Sequence, residues 1–387
     1  MDAPAPFDPP ERLLCGPGPT NVDPAALEAM RRPMLGHLDP ALHEMLLELC
    51  ALLRSAYRAE DAEVVLPLQA TGTSGMETGI ASLVEPGETV IVGVNGYFGR
   101  RIAEIARRHD ADVVEVTADW GEHVPNACLL NALHEHRDAR LLAVVHAETS
   151  TGVEHPLAEL GAEMRDADTL LMADCVTSLG GVELEFDAWG IDYAYSCTQK
   201  CLGAPPGMSP IAFSAQAAER ARSRSTPLGF NFDLDLLTAY WTERPATYHV
   251  TVPILHIYAL HEVLRGLAEE GLENRWARQA EAGARLQERV GEMGLELLAE
   301  PEHQLAPLTA VRVPEGVDGK AVQAELLARG IEVGGGLGPQ APAMWRLGLM
   351  GPNANVETAD RLADAFAEVL AAVGPRAAER PLAAATD

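Results

Sequence analysis

From residue 63 onward, short apolar runs alternate with amphipathic helical segments, and this alternation restricts the possible fold more than any other feature of the chain. The runs are "AEVVLPLQ", "ETVIVGV", "DVVEVTA", "ARLLAVVHA", "TLLMADC" and "IDYAYSC", and "SPIAFS" follows near residue 210. Helical segments such as "TGTSGMETGIASLV" and "YFGRRIAEIARRHD" lie between them. Strands that are apolar on both faces belong to a mostly parallel sheet that helices cover on both sides. We therefore predict an α/β fold.

The two ends of the chain have a different pattern. "VDPAALEAM" and "DPALHEMLLELCALLRSAYRA" predict two helices before the alternation begins, and two long helical segments follow residue 253. The remainder, with "LTAVRVP", "KAVQAELLARG", "IEVGGGL", "MWRLGLMG" and "TADRLADAFAEVLAAVG", is typical of a small α+β unit. A chain of 387 residues is long enough for two domains. We predict an N-terminal arm over residues 1–22, a large domain over 23–265 and a small domain over 266–387, of which the last dozen residues are frayed.

Charge and cysteine usage exclude several classes of partner. A net charge of −28 and a pI near 4.7 disfavour nucleic acid and anionic membrane surfaces, because both repel an acidic protein. A well-solvated surface is the simplest interpretation of this charge, and a high-salt habitat stays open. The six cysteines are scattered without a C-x-x-C pair, so we predict neither disulfides nor a metal site. No signal peptide or membrane-spanning run is recognisable, and we expect a soluble cytoplasmic protein.

Lys200, in "SCTQKCLGAPPG", is one of two lysines among 29 basic residues. A lysine amine can lose its proton and attack a carbonyl group, which arginine does not do in proteins. A lysine kept in an arginine-rich chain therefore hints at covalent amine chemistry. The hint is weak alone, because Lys320 is also kept and begins an ordinary helix.

Unusual residues also follow the predicted strands, at the edge where ligands bind in open α/β sheets. Thr71, Gly72 and Thr73 begin a helix, where they would suit either a phosphate or a plain N-cap. Asp174 ends an apolar strand, and a buried carboxylate needs a partner such as a protonated pyridine nitrogen, a metal or a local N–H group. Phe98 could stack on a flat ring or belong to the core. "HAETSTG" (146–152) is either a polar site or a cap.

The segment "ADCVTSLGGVELEFDAWGIDYAYSCTQKCLGAPPGMSPIAFS" resembles the class V branch of fold-type I pyridoxal-phosphate (PLP) enzymes, above all the alanine–glyoxylate and serine–glyoxylate aminotransferases. Further similar segments follow in family order from about residue 12 to 370: "GPGPTNV", "GTSGMETGIASLVEPGETVIVGVNGYFGRR", "HAETSTGVEHPL", "TYHVTVPILHIYAL" and "GGGLGPQAPAMWRLGLMGPNAN". The resemblance implies a large domain with a mostly parallel, seven-stranded type of sheet, a smaller C-terminal α+β domain, and PLP as the cofactor.

The resemblance also implies a role for each candidate residue. Lys200 would form a Schiff base with PLP and then move the proton between Cα and C4′, while Asp174 would pair with the pyridinium nitrogen. Thr71, Gly72, Thr73 and Gln199 would bind the cofactor phosphate. The ring of Phe98 would stack on the cofactor, and the hydroxyl of Thr149 would lie near its phenolic oxygen. Tyr248 and Thr251 would reach the site from the neighbouring subunit of a homodimer. Phe98 stands where relatives often have tryptophan, and Thr149 where serine is common, so substrate preference stays open.

Arg346 is the residue expected to hold the substrate α-carboxylate through two charge-assisted hydrogen bonds. No second arginine is recognisable for a distal carboxylate, so the prediction is a ping-pong aminotransferase for small substrates, with alanine or serine as donor and glyoxylate or pyruvate as acceptor. Three alternatives remain. These are a class V aminotransferase for aminoethylphosphonate, ureidoglycine or pyridoxamine, a desulfurase-like lyase using Cys201, and a cofactor-binding protein without turnover.

Overall fold

A computed structural model of the protein describes residues 3–165 and 167–373. Its strands are β1 (Leu13–Leu14), β2 (Val64–Leu68), β3 (Thr89–Val94), β4 (Asp112–Thr117), β5 (Leu141–Val145), β6 (Ala147–Glu148), β7 (Val153–Glu154), β8 (Leu170–Asp174), β9 (Tyr193–Tyr195), β10 (Ser209–Phe213), β11 (Leu308–Arg312), β12 (Ile331–Glu332), β13 (Gly334–Gly335) and β14 (Met344–Gly348). The fraying predicted for the last dozen residues lies outside the described residues.

The α-helices are α1 (Pro24–Ala29), α2 (Pro40–Tyr57), α3 (Gly72–Leu83), α4 (Tyr97–Arg108), α5 (Asn126–Glu135), α6 (Leu157–Met164), α7 (Ala215–Arg222), α8 (Leu234–Trp241), α9 (Ile254–Glu270), α10 (Leu272–Glu292), α11 (Gly319–Ala328) and α12 (Val356–Val373). Short 3₁₀ turns cover Phe230–Phe232, Pro301–His303 and Gly351–Asn353. Asp23 and Asp39 cap the first two helices by accepting backbone N–H bonds. No helix in the described ranges is long and apolar enough to span a bilayer.

Seven strands form the central sheet in the order β2-β10-β9-β8-β5-β3-β4. Strand β10 is antiparallel to both of its neighbours, and the other pairings are parallel. The prediction of a mostly parallel sheet is therefore confirmed. Because β2, β3, β4, β5, β8 and β9 all run in one direction, the residues that follow them meet at one edge of the sheet, and Lys200 lies in the loop after β9.

Helix α3 lies directly on the central sheet because it lacks side chains at two contact points. A Cβ atom at Gly75 would overlap the hydroxyl of Ser209, and one at Gly79 would overlap the ring of Tyr193. The Tyr193 hydroxyl donates a 2.6 Å hydrogen bond to the Gly75 carbonyl oxygen. This close contact fixes where α3 begins, and hence where Thr71, Gly72 and Thr73 lie.

A second hydrophobic cluster surrounds a smaller antiparallel sheet with the order β11-β14-β13. Its buried residues come mainly from β11, β12 and β14 and from helices α10, α11 and α12, together with Cys15 in the N-terminal segment. Strand β1 pairs in parallel with β12, so the chain begins against this second unit before it enters the first. The segment "IEVGGGL" is divided between β12 and β13, which pair in different sheets.

Candidate active site

A cavity of about 190 Å³ lies at the edge where the parallel strands end. Seven of the eleven predicted site residues line it: Thr71, Gly72, Thr73, Phe98, Asp174, Gln199 and Lys200. The remaining lining residues are Gly18, Pro19, Met76, Arg101, Val176 and Cys197. The fold thus joins segments from the start of the chain, two helix N-termini, the end of β8 and the loop after β9.

Asp174 is the last residue of β8, and its side chain is only 2% exposed. One carboxylate oxygen accepts a 2.7 Å hydrogen bond from the Tyr195 hydroxyl, and the other accepts a 2.9 Å bond from the Val176 backbone N–H. Burial raises the pKa of Asp174 to about 6, while these two hydrogen bonds act in the opposite direction. A cation beside Asp174 in the cavity would offset the burial, so the site fits a protonated ring nitrogen.

Lys200 is 9% exposed, and its Nζ donates to the carbonyl oxygen of Pro17. Burial lowers the pKa of Lys200, and the nearby Arg346 acts in the same direction, which favours the neutral amine. Gly18 lies against the lysine stem with φ of +101°, and a Cβ atom there would overlap that stem. Part of the predicted N-terminal arm therefore encloses the lysine, a contact that sequence reasoning missed.

The N-terminus of α3 offers unsatisfied donors to the cavity. Thr71 occupies the N-cap position, yet its side chain makes no capping hydrogen bond, so the plain N-cap interpretation does not account for it. Free N–H groups at a helix start suit an anion such as a phosphate. Gln199 contributes a buried Oε1 that has no hydrogen-bond partner among the described residues. The free N–H groups of α3 fit a cofactor that carries a phosphate, whereas the acceptor oxygen of Gln199 needs a hydrogen-bond donor.

Arg101 is a cavity residue that was not predicted from the sequence. Its guanidinium lies 4.9 Å from the ring centroid of Tyr97 and 5.0 Å from that of Phe98. Its Nη1 also donates a 3.1 Å hydrogen bond to the Thr73 hydroxyl. Arg101 therefore connects the predicted stacking ring to the predicted phosphate segment. A second cavity of about 520 Å³ shares Thr73 and Arg101 with the first.

Arg346 and Thr149 contact each other but do not line the smaller cavity. Arg346, in β14, is 6% exposed and donates from Nη1 to the Thr149 carbonyl oxygen at 3.2 Å and from Nε to the Gly335 carbonyl oxygen at 2.7 Å. Burial lowers the pKa of Arg346 to about 10, and the carboxylate of Glu148 opposes this shift. Arg346 is thus a buried cation held by backbone oxygens, as its position in an apolar strand predicts.

Glu148 and Ser150 decide between the two interpretations of "HAETSTG". The fully buried Glu148 accepts hydrogen bonds from the backbone N–H groups of Phe98 at 3.0 Å and Gly99 at 3.3 Å, and Ser150 accepts one from Tyr97 at 2.8 Å. Both side chains therefore cap the N-terminus of α4. The cap fixes Phe98 at the cavity wall. Burial raises the pKa of Glu148, and these donors counteract the shift.

Tyr248 and Thr251 do not line the cavity of their own chain. Their hydroxyl oxygens are 3.4 Å apart, and the Tyr248 ring packs 5.1 Å from the ring of His37. Tyr248 is 54% exposed although it is a large aromatic residue. The role predicted for both residues lies in the site of a neighbouring subunit, and it stays a prediction.

Comparisons with known proteins agree with this arrangement. The sequence matches the model of the family described as aminotransferase class-V over residues 29–354. It is 38% identical to alanine–glyoxylate aminotransferase of Rattus norvegicus, across 94% of this chain and 89% of that protein. The crystal structure of alanine–glyoxylate aminotransferase from Nostoc sp. has a TM-score of 0.92 at 46% identity, covering 95% of this chain and 97% of that one. Ureidoglycine–glyoxylate aminotransferase from Bacillus subtilis has a TM-score of 0.91 at 34% identity, covering 96% of both chains.

A PLP-dependent aminotransferase is the class of enzyme that this fold and cavity define. Within it, the chain belongs to the class V aminotransferase family. The predicted family, fold, enzyme class and cofactor are therefore confirmed. The buried Asp174 and Lys200 and the free N–H groups at the start of α3 fit PLP on structural grounds as well.

Proposed function

We propose that this aminotransferase moves the amino group of a small amino acid, alanine or serine, to glyoxylate or pyruvate by a ping-pong mechanism. The observation that carries the proposal is the placement of Lys200 and Asp174, both buried, on the wall of one cavity. PLP supplies an aldehyde that reacts with amines and a ring that accepts electrons from the substrate Cα. Thr71, Gly72, Thr73 and Gln199 would hold its phosphate, and Phe98 would stack on its ring.

Lys200 has two tasks in this proposal. Its amine would hold the aldehyde of the cofactor, and it would later move a proton away from the substrate Cα. Both tasks require a neutral amine at physiological pH. Burial of Lys200 lowers its pKa and so favours that form. Asp174 would keep the ring nitrogen protonated, and the hydrogen bonds from Tyr195 and Val176 hold its carboxylate in place.

Arg346 is proposed to bind the substrate α-carboxylate. A guanidinium can form two parallel charge-assisted hydrogen bonds with a carboxylate, which fixes the orientation of the Cα–H bond. Its present partners are the carbonyl oxygens of Thr149 and Gly335, which leave the positive charge without a bonded anion. Glyoxylate occurs in the names of the three relatives described above, and this supports glyoxylate as the acceptor.

Arg101 is the arginine that lines the cavity of about 190 Å³, and its contacts support small donors. It hydrogen-bonds Thr73 and lies over two aromatic rings, so we assign it to the cofactor rather than to a distal carboxylate of the substrate. With Arg101 so engaged, no arginine that lines the cavity of about 190 Å³ is free for the second carboxylate of aspartate or glutamate. Small monocarboxylic amino acids are therefore the favoured donors.

A screen of the two half-reactions tests this proposal. Purified holoenzyme is mixed with single amino acids, and loss of the cofactor's visible band is followed as the amino group transfers. We expect alanine or serine to bleach the band faster than glutamate or aspartate, and glyoxylate or pyruvate to restore it. Faster bleaching by glutamate or aspartate would contradict the proposal. Colour that no amino acid bleaches would indicate a binding protein, and sulfide release from cysteine would indicate a lyase.

We also propose a cytoplasmic homodimer whose subunits exchange Tyr248 and Thr251. Large apolar side chains are exposed beside this segment: Tyr248 packs on His37, with Met34 and Leu38 nearby in the chain, and Phe230 packs on His249. Clustered exposed apolar groups are typical of subunit interfaces. The six cysteines are free thiols, which suits a reducing compartment.

Light scattering combined with a mixing experiment tests the dimer. We expect a mass of two chains, and we expect inactive Lys200→Ala chains mixed with inactive Tyr248→Ala chains to recover activity, because hybrid dimers contain one intact site. Monomers with full activity would exclude a shared site.

A further inference from the structure

His123, Glu300 and His303 form a cluster of metal-binding side chains outside the cofactor cavity. His123 lies between β4 and α5, and Glu300 and His303 lie at the 3₁₀ turn before β11. Each residue offers a ligand atom, and these atoms all lie within 4.8 Å of one another. The two imidazole rings are stacked with centroids 3.8 Å apart, and Nδ1 of His123 is 2.5 Å from a Glu300 carboxylate oxygen.

The hydrogen bond between His303 and the Glu154 carbonyl group leaves the other ring nitrogen of His303 free to coordinate a metal ion. Nδ1 of His303 lies 3.2 Å from the carbonyl oxygen of Glu154. A carbonyl oxygen only accepts hydrogen bonds, so Nδ1 carries the proton and Nε2 has the lone pair. Histidine ligands of metals commonly donate their second ring N–H to a backbone carbonyl in this way. The tautomer that a metal requires is thus already selected.

The backbone holds the two halves of the cluster together. Glu300 accepts a 3.0 Å hydrogen bond from the His123 backbone N–H and donates its own N–H to the Gly121 carbonyl oxygen at 3.0 Å. Gly121 has φ of +98°, and a Cβ atom there would overlap the Leu298 carbonyl oxygen. Segments 177 residues apart in sequence therefore meet in a fixed arrangement, which lowers the cost of assembling a metal site.

A simple hydrogen bond between His123 and Glu300 accounts for only part of this arrangement. It leaves Nε2 of His303 without a hydrogen-bond partner among the described residues, on a ring that is stacked against that of His123. A single ion would use all three groups together. The scattered cysteines gave no hint of such a site, because its ligands are histidine and glutamate residues that the fold brings together.

We infer that His123, Glu300 and His303 bind one divalent transition-metal ion, with Zn²⁺ as the first choice. Imidazole nitrogens and a carboxylate suit Zn²⁺, whereas Mg²⁺ and Ca²⁺ prefer oxygen ligands throughout. Three protein ligands leave a fourth position for water. The ion would join the segment after β4 to the turn before β11 and so stabilise the contact between the two parts of the chain.

The test measures Zn²⁺ binding to tag-free holoenzyme by equilibrium dialysis and metal analysis. All variants carry Cys128→Ser, because Cys128 is an exposed thiol close in sequence to His123 and could bind zinc itself. His134→Ala is the matched control, since it removes an exposed histidine of α5 outside the cluster. We expect one ion per chain in the parent and the control, and an affinity at least about tenfold weaker in His123→Ala and His303→Ala.

Glu300→Gln keeps the test decisive if an alanine variant fails to fold. The amide oxygen can still accept the His123 backbone N–H bond, but the carboxylate ligand is lost. Unchanged melting without zinc and an unchanged cofactor spectrum establish that each variant is folded. Weaker zinc binding in folded Glu300→Gln supports the site, and so does an anomalous scattering peak between the three side chains. Absence of zinc binding in the parent, or equal affinity in the parent and every cluster variant, would overturn the inference.

Discussion

Lys200 and Asp174 are ionisable groups that the fold buries with few protein partners. Pro17 supplies the acceptor for Lys200, and Tyr195 and Val176 supply the donors to Asp174. Burial alone favours the neutral form of each, as their pKa directions show. The unfavourable burial is offset when a cofactor provides an aldehyde for the amine and a cation for the carboxylate. Such a pair is poorly suited to structural stabilisation and well suited to PLP chemistry.

Asp174 and Lys200 could be predicted because their residue types are unusual in their sequence contexts. Tyr195 could not, since a tyrosine in an apolar strand gives no sign that its hydroxyl reaches a carboxylate. Pro17 and Arg101 were missed because their contacts depend on chain segments far apart: 183 residues separate Pro17 from Lys200. Glu148 could have been recognised from the sequence, because it is an acidic residue at the end of an apolar run, as Asp174 is.

Substitution of Arg101 by glutamine tests its proposed link between Phe98 and Thr73. Loss of one hydrogen bond and of the cation–π contacts costs about 1–2 kcal/mol, which corresponds to roughly tenfold weaker PLP binding. Titration of the apoenzyme with PLP measures this affinity. Arg100→Gln removes the same charge from an exposed neighbour on α4 and is the control. Equal weakening in both variants would assign the effect to overall charge and contradict the proposed role of Arg101.

Apolar runs predicted the strands well, because a buried strand must be apolar on both faces. They could not reveal that β10 is antiparallel, since strand direction leaves no mark on composition. Helices α5, α7 and α8 were not predicted. Each spans only 8 to 10 residues, too few turns to show a clear period. The two halves of "IEVGGGL" pair with different neighbours, a choice that only tertiary contacts make.

The segment after β5 contains a buried histidine that couples stability to pH. His146 packs edge-on against Trp189 with ring centroids 5.5 Å apart, and burial lowers its pKa from 6.5 to about 4. Between these two pH values the unfolded chain binds a proton that the folded chain does not. The contribution of His146 to stability therefore falls as the pH drops from 6.5 towards 4. The contribution of His146 over this window is about 3 kcal/mol at about 1.4 kcal/mol per pKa unit.

His146→Phe is expected to reduce this loss while keeping an aromatic contact with Trp189. Urea unfolding midpoints across the same pH range measure the effect, with the wild-type protein in parallel. The variant curve should be flatter below pH 6.5 and should run alongside the wild-type curve above it. Identical slopes for the two proteins below pH 6.5 would show that His146 does not cause the loss.

The chain as a whole is organised around two hydrophobic clusters that the N-terminal segment connects. Leu13–Leu14 pair with β12, Cys15 joins the second cluster, and Thr20 donates its backbone N–H to the Gln199 carbonyl oxygen at 3.0 Å. The segment therefore reaches the active-site loop from the smaller unit. Such long-range contacts have no sequence signature. The predicted boundaries at residues 22 and 265 remain predictions.

The covalent role of Lys200 can be tested on the intact holoenzyme by borohydride reduction, proteolysis and mass spectrometry. The chain offers a built-in control, since Lys320 is its other lysine and lies exposed at the start of α11, outside the cavity. We expect the reduced cofactor on the peptide that contains Lys200 and nothing on the peptide that contains Lys320. An unlabelled Lys200 in protein that retains its bound cofactor would contradict the role assigned to this residue.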